Sequence, residues 1–218
     1  MSTILCIETA STNCSVAIGR DGFLIALKED YDSSYSHAER LHIFIKEILS
    51  ENNLELSDLD AIAVSKGPGS YTGLRIGVSA AKGLCFSLEL PLISVATLTS
   101  LAFQVKEKGT IIPMMDARRM EVYTAVFDEN MNQIEATSAK IIDADSYTKF
   151  LNEQQVYFIG SGVEKFKKIC EHPNAFYIEN ILPSAAQMVE LANLKFKKSD
   201  FEDVAYFEPY YLKDFMAG

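Results

Sequence analysis

The densest chemical signal in the chain is Ser65-Lys66-Gly67-Pro68-Gly69-Ser70-Tyr71-Thr72-Gly73-Leu74-Arg75-Ile76-Gly77. A glycine-rich loop that opens a helix can cradle a phosphate, because its free backbone N–H groups and the helix dipole both favour an anion. Neither phosphate-loop template fits. A P-loop has four residues between its glycines and a lysine after the second; here five separate Gly67 from Gly73, and Leu74 follows. The dinucleotide fingerprint needs a third glycine where Thr72 stands, after a first strand rather than a later one. A metal site fares no better. Two imidazoles four residues apart on a helix share a face and can chelate one ion. His37 is followed at that spacing by Leu41, and His42 comes one residue later, so the rings diverge by roughly 140°. His172 stands alone before Pro173, and no GxSxG nucleophile elbow occurs. The residues therefore assign no catalytic, cofactor or metal ligand set.

Two helices around this segment suggest a contact surface instead. In the expected helix 72–88, Gly73, Gly77, Ala80, Ala81 and Leu84 share one face, and such small residues let another backbone come close. Arg75, Ser79, Lys82 and Phe86 lie opposite, as a solvated outer face or as a docking face. In the preceding helix, residues 36–50, Ala38, Leu41, Ile45 and Leu49 form a core stripe. Phe44 and Ile48 widen it and Ile43 sits on the polar side, which is more apolar surface than one sheet contact needs. The expected partner interface is Leu41, Phe44, Ile45, Ile48, Tyr71, Thr72, Arg75, Ile76, Ser79 and Lys82.

These helices belong to an α/β chain of ordinary composition. Of 218 residues, 48% are apolar and 23% charged, which excludes a disordered, collagen-like or coiled-coil chain. The net charge of −10 argues against independent binding to a polyanion. The basic runs 165–168 and 195–198 fall near helix ends, where cations complement the dipole, so they read as solvated ends before they read as RNA contacts. The start of the chain has no signal-peptide pattern, and residues 83–103 are broken by Glu89 and Pro91, so a cytoplasmic protein without a membrane span is expected. Cys6 and Cys14 can face each other across a hairpin, but reduced thiols are the default for that compartment.

Apolar periodicity places strands at 4–7, 15–19 and 23–27, with Asp21-Gly22 as a hairpin turn. A helix from Ser36, with Glu39 completing a capping box, a strand at 61–65, the helix 72–88, a strand at 92–95 and a helix at 97–106 follow. The same order then recurs: strands at 110–115, 122–127 and 133–142, a helix from Asp143 to 152, a strand at 156–159, a helix at 163–170, a strand at 176–178 and a helix from Ser184 to 197. Three strands, helix, strand, helix, strand, helix twice over predicts two similar α/β lobes with mixed sheets, not one all-parallel sheet. The lobes are expected at 1–106 and 107–183, with 184–218 returning to the first.

The segments ILCIETASTNCSVAI (4–18), GPGSYTGLRIGVSAAKGL (67–84) and DARRMEVY (116–123), with Pro209-Tyr210-Tyr211-Leu212 near the end, resemble the TsaB family. Its members are non-catalytic subunits of the bacterial machinery that makes N6-threonylcarbamoyladenosine in tRNA. The resemblance implies a two-lobe actin/Hsp70-like (ASKHA) fold with a reduced second lobe. It implies a heterodimer with the related transferase subunit TsaD, docking through the helices 36–50 and 72–88, in support of transfer to adenosine 37 of ANN-decoding tRNAs. It also implies TsaE as an ATPase reached through that pair, tRNA contact only within the complex, and a homodimer through the same surface when TsaD is absent.

ATP-binding members of that superfamily hold phosphates with one glycine-rich hairpin per lobe, where backbone N–H groups must approach closely. The corresponding turns here are Glu8-Thr9-Ala10-Ser11-Thr12-Asn13 and Asp116-Ala117-Arg118-Arg119-Met120-Glu121. Neither contains glycine, so Thr9, Ser11, Thr12, Asp116 and Arg118 are candidate remnants of phosphate hairpins. Arg118 and Arg119 can serve a ligand, or pair with Glu121 or an acidic partner. Gly160-Ser161-Gly162 is a weak remnant of an adenosine loop. The alternatives are a stand-alone nucleotide-binding phosphotransferase or ATPase, and a metallopeptidase.

Overall fold

The computed structural model describes residues 1–31 and 37–213. The elements open with β1 (Thr3–Glu8), β2 (Cys14–Arg20), β3 (Phe23–Asp30), α1 (His37–Glu51) and β4 (Ala61–Gly67). Next come α2 (Tyr71–Leu88), β5 (Leu92–Ala96), α3 (Thr97–Ala102), β6 (Thr110–Asp116), β7 (Glu121–Phe127) and β8 (Gln133–Ile141). The series closes with α4 (Thr148–Leu151), β9 (Val156–Ile159), α5 (Val163–Lys167), β10 (Ala175–Ile178) and α6 (Ala185–Lys197). Among the described residues they form two compact units, 1–100 with 183–211, and 101–182 with Leu212 and Lys213.

The first unit holds a five-stranded sheet in the order β3-β2-β1-β4-β5. The first three strands run antiparallel to their neighbours, and β4 and β5 join in parallel. The second unit repeats this plan as β8-β7-β6-β9-β10, antiparallel then parallel. The repeated order read from the apolar pattern thus becomes a repeated mixed sheet. The β2–β3 hairpin turns at Asp21 and Gly22, both left-handed (φ 51° and 89°), which matches the twist of the strands it joins.

The continuous apolar run of β1 reflects burial on both faces. Leu5, Ile7, Val16, Ile18, Ile62 and Val64 pack beneath α1 and α2, while Ile4, Cys6, Ala17, Ala61 and Ala63 pack against Ala185, Met188, Val189 and Ala192 of α6. The last helix therefore completes the first unit. The second unit centres on Ile112, Met114, Val122 and Val126 beneath an aromatic group in which Tyr147, Phe158, Phe166 and Tyr177 meet at 4.8–6.3 Å between centroids.

Several expectations need correction. The helix expected at 97–106 stops at Ala102, and that at 163–170 stops at Lys167. The helix expected from Asp143 is only Thr148–Leu151, because Asp143 and Ser146 bond each other locally and Tyr147 turns left-handed at φ 65°. The capping role given to Ser36 lies outside the described residues. Cys6 pairs with Ala17 and Cys14 with Asp30, so these two thiols do not face each other, and all four cysteines are free and buried. Burial pushes the thiols of Cys6, Cys14 and Cys85 above their ordinary range. No helix among the described residues is long and apolar enough to cross a membrane.

The glycines of α2 explain how the β1–β2 turn reaches the helix. A Cβ on Gly73 would sit 2.1 Å from the Thr9 carbonyl oxygen, and one on Gly77 2.2 Å from Thr9 Oγ1. Gly83, on the outer face of the same helix, has open space where its Cβ would be. Gly73→Ala is therefore expected to destabilise the protein by about 1–3 kcal/mol through overpacking. Gly83→Ala should stabilise it by about 0.5–1 kcal/mol through helix propensity. Denaturant midpoints of the two variants check the pair.

Candidate functional site

The first hairpin is closed upon itself. Glu8, at the end of β1, is fully buried, and its Oε1 accepts from the Ala10 amide at 2.6 Å and from Ser65 Oγ at 2.7 Å. The Thr9 amide also donates to this carboxylate. The Ala10 carbonyl accepts from the Ser70 amide at 2.7 Å, and Thr9 Oγ1 donates to the Gly73 carbonyl at 2.8 Å. Ser70 caps α2 by accepting from the Gly73 amide at 3.2 Å. Ser11 Oγ accepts from the Asn13 amide, its carbonyl lies 2.8 Å from His37 Nε2, and Thr12 is half-buried in the turn. The amides of Thr9, Ala10, Asn13 and Ser70 thus already serve the chain's own carboxylate, hydroxyl and carbonyl groups.

Burial raises the Glu8 carboxyl to about 7 against the bonds from Ala10, Ser65 and Thr9, which pull it down, and its Oε2 has no partner. Burial also pulls the His37 imidazole below its ordinary range. His37 is buried and His42 is exposed, so they do not converge. Among the described residues, no group of three or more His, Cys, Asp or Glu is placed to hold a metal ion.

The second hairpin, between β6 and β7, turns through Arg118 and Arg119, both left-handed at φ 67° and 51°. Asp116 Oδ1 accepts from the Arg118 amide at 2.6 Å, and the Asp116 amide donates to Ser161 Oγ at 3.1 Å. Lys165 Nζ reaches Asp116 at 3.0 Å and donates to the carbonyls of Arg119 and Glu121. The ion pair of Glu121 is with Lys213, not with either arginine as the sequence suggested. Among the described residues no carboxylate pairs with either guanidinium, and Arg118 and Arg119 stand exposed at the turn. The Gly160-Ser161-Gly162 loop is tied to β6, with the Gly162 amide donating to the Met114 carbonyl at 2.9 Å.

The expected docking residues divide into two groups. Leu41, Phe44, Ile45 and Ile48 of α1 are buried in the first unit's own core with Leu5, Val16, Val78, Ala81 and Cys85. The wide apolar arc serves α1's contacts with β2, β3 and α2, which corrects their reading as open surface. Ala38, assigned to the core stripe, is exposed, and so is Ile43. On α2, Thr72, Arg75 and Ser79 are exposed, whereas Tyr71, Ile76 and Lys82 are half-buried. The tail explains part of this. Lys82 Nζ donates to the carbonyls of Ala205 (3.1 Å) and Phe207 (2.9 Å), and Ile76 packs on the core. The Arg75 guanidinium lies 4.1 Å above the Tyr71 ring and donates to Tyr211 Oη at 3.3 Å, with the tyrosine centroids 4.9 Å apart. Tyr211 was absent from the expected interface, although it lies in the Pro209–Leu212 motif. Glu8 was visible as a carboxylate ending an apolar run.

The basic runs are largely committed within the chain. Lys167 pairs with Glu179, Lys168 with Glu164, and Lys195 with Asp200 and the Ser94 carbonyl.

Twin mixed sheets of this order, with helices on their faces, define an actin/Hsp70-like α/β protein. Residues 31–217 match the family described as TsaD: tRNA N6-adenosine threonylcarbamoyltransferase. The tRNA threonylcarbamoyladenosine biosynthesis protein TsaB of Escherichia coli K12 is 31% identical over 98% of this chain and 96% of its own length. Its Bacillus subtilis 168 counterpart is 33% identical over 97% and 94%. The structure of YeaZ from Pseudomonas aeruginosa superposes with a TM-score of 0.83 at 27% identity, covering 97% of this chain and all of that one. The chain belongs to the TsaB family.

A buried carboxyl raised to about 7 makes a definite pH prediction. Its neutral form is favoured in the folded state, so the contribution to stability is full below the ordinary carboxyl value and is lost as pH rises through about 7. Glu8→Gln removes the titration. Relative to wild type, the variant is expected to gain about 1–3 kcal/mol between pH 5 and 8. Unfolding free energies across that range check it.

Proposed function

We propose that this chain is a non-catalytic subunit that binds a TsaD-type transferase and supports threonylcarbamoyl transfer to N6 of adenosine 37 in ANN-decoding tRNAs. The observation that carries the reading is the occupied first hairpin. With Glu8 filling the Thr9 and Ala10 amides, the turn has little capacity left for a nucleotide phosphate. What remains for function is surface. Thr72, Arg75 and Ser79 on α2, with the Tyr71–Tyr211 pair beside them, combine aromatic and guanidinium groups of the kind that dominate binding energy at interfaces. The family match and the names of the relatives favour the tRNA-modification role. The partner would be held in its competent arrangement because this subunit binds that arrangement better than the alternative. TsaE would join through the pair, and tRNA would be met only in the assembled complex.

Reconstitution of tRNA modification with and without the chain is the direct test, and loss of product on its omission is expected. The docking face is tested separately with Arg75→Glu and Ser79→Arg, which leave the core untouched, whereas Ile76 packs inside it. Each is expected to weaken binding to TsaD by about tenfold or more, or ~1.4 kcal/mol, as read by light scattering or calorimetry. Unchanged affinity in both would remove α2 from the interface. Titration of the isolated chain with ATP and magnesium is expected to give no binding heat. Micromolar affinity would favour the stand-alone phosphotransferase or ATPase, with Arg118 and Arg119 as its anion contacts.

A further inference from the structure

Residues 205–211 pass from Lys82 to Tyr71 beside α2 and are fastened before they reach Tyr211. Lys82 Nζ holds the carbonyls of Ala205 and Phe207 at 3.1 and 2.9 Å. The Tyr210 amide donates to the Lys66 carbonyl at 2.7 Å, and the Tyr210 carbonyl oxygen would stand 2.8 Å from a Cβ on Gly67. These ties fix where Tyr211 falls. Its ring centroid lies 4.9 Å from that of Tyr71, and its Oη accepts from Arg75 Nε at 3.3 Å. The Arg75 guanidinium, one helical turn after Tyr71, covers the Tyr71 ring at 4.1 Å.

This arrangement uses one face and one edge of the guanidinium. Its terminal nitrogens meet no acceptor among the described residues, and no carboxylate there pairs with it. A guanidinium stacked on a ring presents its fork ready to pair, whereas a free arginine must first give up rotamer freedom. Arg75 is exposed, and its neighbours along the same helix face, Thr72 and Ser79, are small and exposed too.

We propose that Tyr211 is a positioning residue that holds Arg75 flat on Tyr71, with its fork open to a carboxylate of the partner protein. This role rests on α2 being the docking face, and it names the group which that face receives. Planar forks bind carboxylates and phosphates alike through paired N–H bonds. The number of charges decides between them here. Arg75 and Lys82 are the only cations in α2, and Lys82 is committed to tail carbonyls. Phosphate backbones are held by several cations together, and a chain of net charge −10 offers one on this helix. A single fixed guanidinium suits a single Asp or Glu side chain.

Calorimetry of the full chain with the purified TsaD-type transferase, without tRNA or nucleotide, reads the effect. Tyr211→Phe removes the hydroxyl and keeps the ring. It is expected to weaken binding about three- to tenfold, a loss on the scale of one hydrogen bond. Arg75→Gln is expected to weaken it about tenfold or more. The double variant should bind no more weakly than Arg75→Gln alone, because the hydroxyl acts through the guanidinium. Arg75→Lys should not restore affinity, since a compact ammonium lacks the fork. With Arg75→Lys at concentrations that saturate the complex, a carbodiimide should join the new amine to an Asp or Glu of the transferase, as read by peptide mass. Equal losses from Tyr211→Phe with and without Arg75 would mean that Tyr211 meets the partner itself, and would overturn the proposal. So would unchanged affinity in Tyr211→Phe beside a weakened Arg75→Gln, an outcome that keeps α2 as the docking face but removes the positioning. No change in either variant would remove the docking face as well. If Tyr211→Phe lowers the thermal midpoint of the isolated chain, the double variant decides, since a structural defect adds to Arg75→Gln and coupling does not. Binding of tRNA by the isolated chain that is lost in Arg75→Gln would assign the fork to phosphate and equally overturn the proposal, as would a cross-link map without position 75.

Discussion

Two carbonyl groups, those of Thr9 and Ala10, set how the first unit is built. Ala10 receives the Ser70 amide at the entrance to α2, and Thr9 presses its oxygen where a Gly73 side chain would stand. The contact fixes the β1–β2 turn to the β4–α2 loop and demands glycine at Gly69 and Gly73, while the Thr9 hydroxyl demands it one turn further on at Gly77. Glu8 then organises the turn from below by taking the amides of Thr9 and Ala10 and the Ser65 hydroxyl. A loop that looks built to receive phosphate is instead filled by its own neighbour.

The same arrangement separates shape from ligand chemistry. Close backbone approach is what a phosphate requires, and it is also what tight packing of a hairpin on a helix requires. The glycines therefore report closeness and say nothing of what comes close. The second hairpin makes a different trade. Its arginines sit in left-handed geometry, held by the Asp116 carboxylate and by Lys165 on the carbonyls of Arg119 and Glu121. Left-handed conformations in non-glycine residues cost about 1–3 kcal/mol each. That the surrounding bonds hold two such residues in succession marks a turn whose shape is kept despite its residue types.

Much of the fold was legible because burial on one or both sheet faces leaves a periodic apolar trace. The succession of strands and longer helices along the chain and its repeat followed from that trace, and the Asp21-Gly22 pair marked the first hairpin turn. Short helices were not legible. At 143–152 the Asp143–Ser146 bonds offered the backbone a competing local structure, and periodicity does not weigh that competition. The α1 arc was visible, but its use was not: one helix touching two strands and a second helix needs as much apolar surface as one touching a partner. Glu8 illustrates the opposite limit. Its carboxylate was plain in the sequence, yet full burial depends on Ser65, fifty-seven positions away.

One consequence concerns the timing of assembly on the ribosome. The first sheet is begun by β1 but is covered on one face by α6, whose Ala185, Met188, Val189 and Ala192 follow the whole second sheet in the chain. The second sheet lies wholly within residues 101–182 and has every strand in hand before α6 emerges. Since domains mature as their segments become available during translation, the unit that starts first is the one that finishes last. Tyr211, which rests on Tyr71, follows α6 in turn, so the outer face of α2 acquires its final form only after both sheets and their last helix have been made.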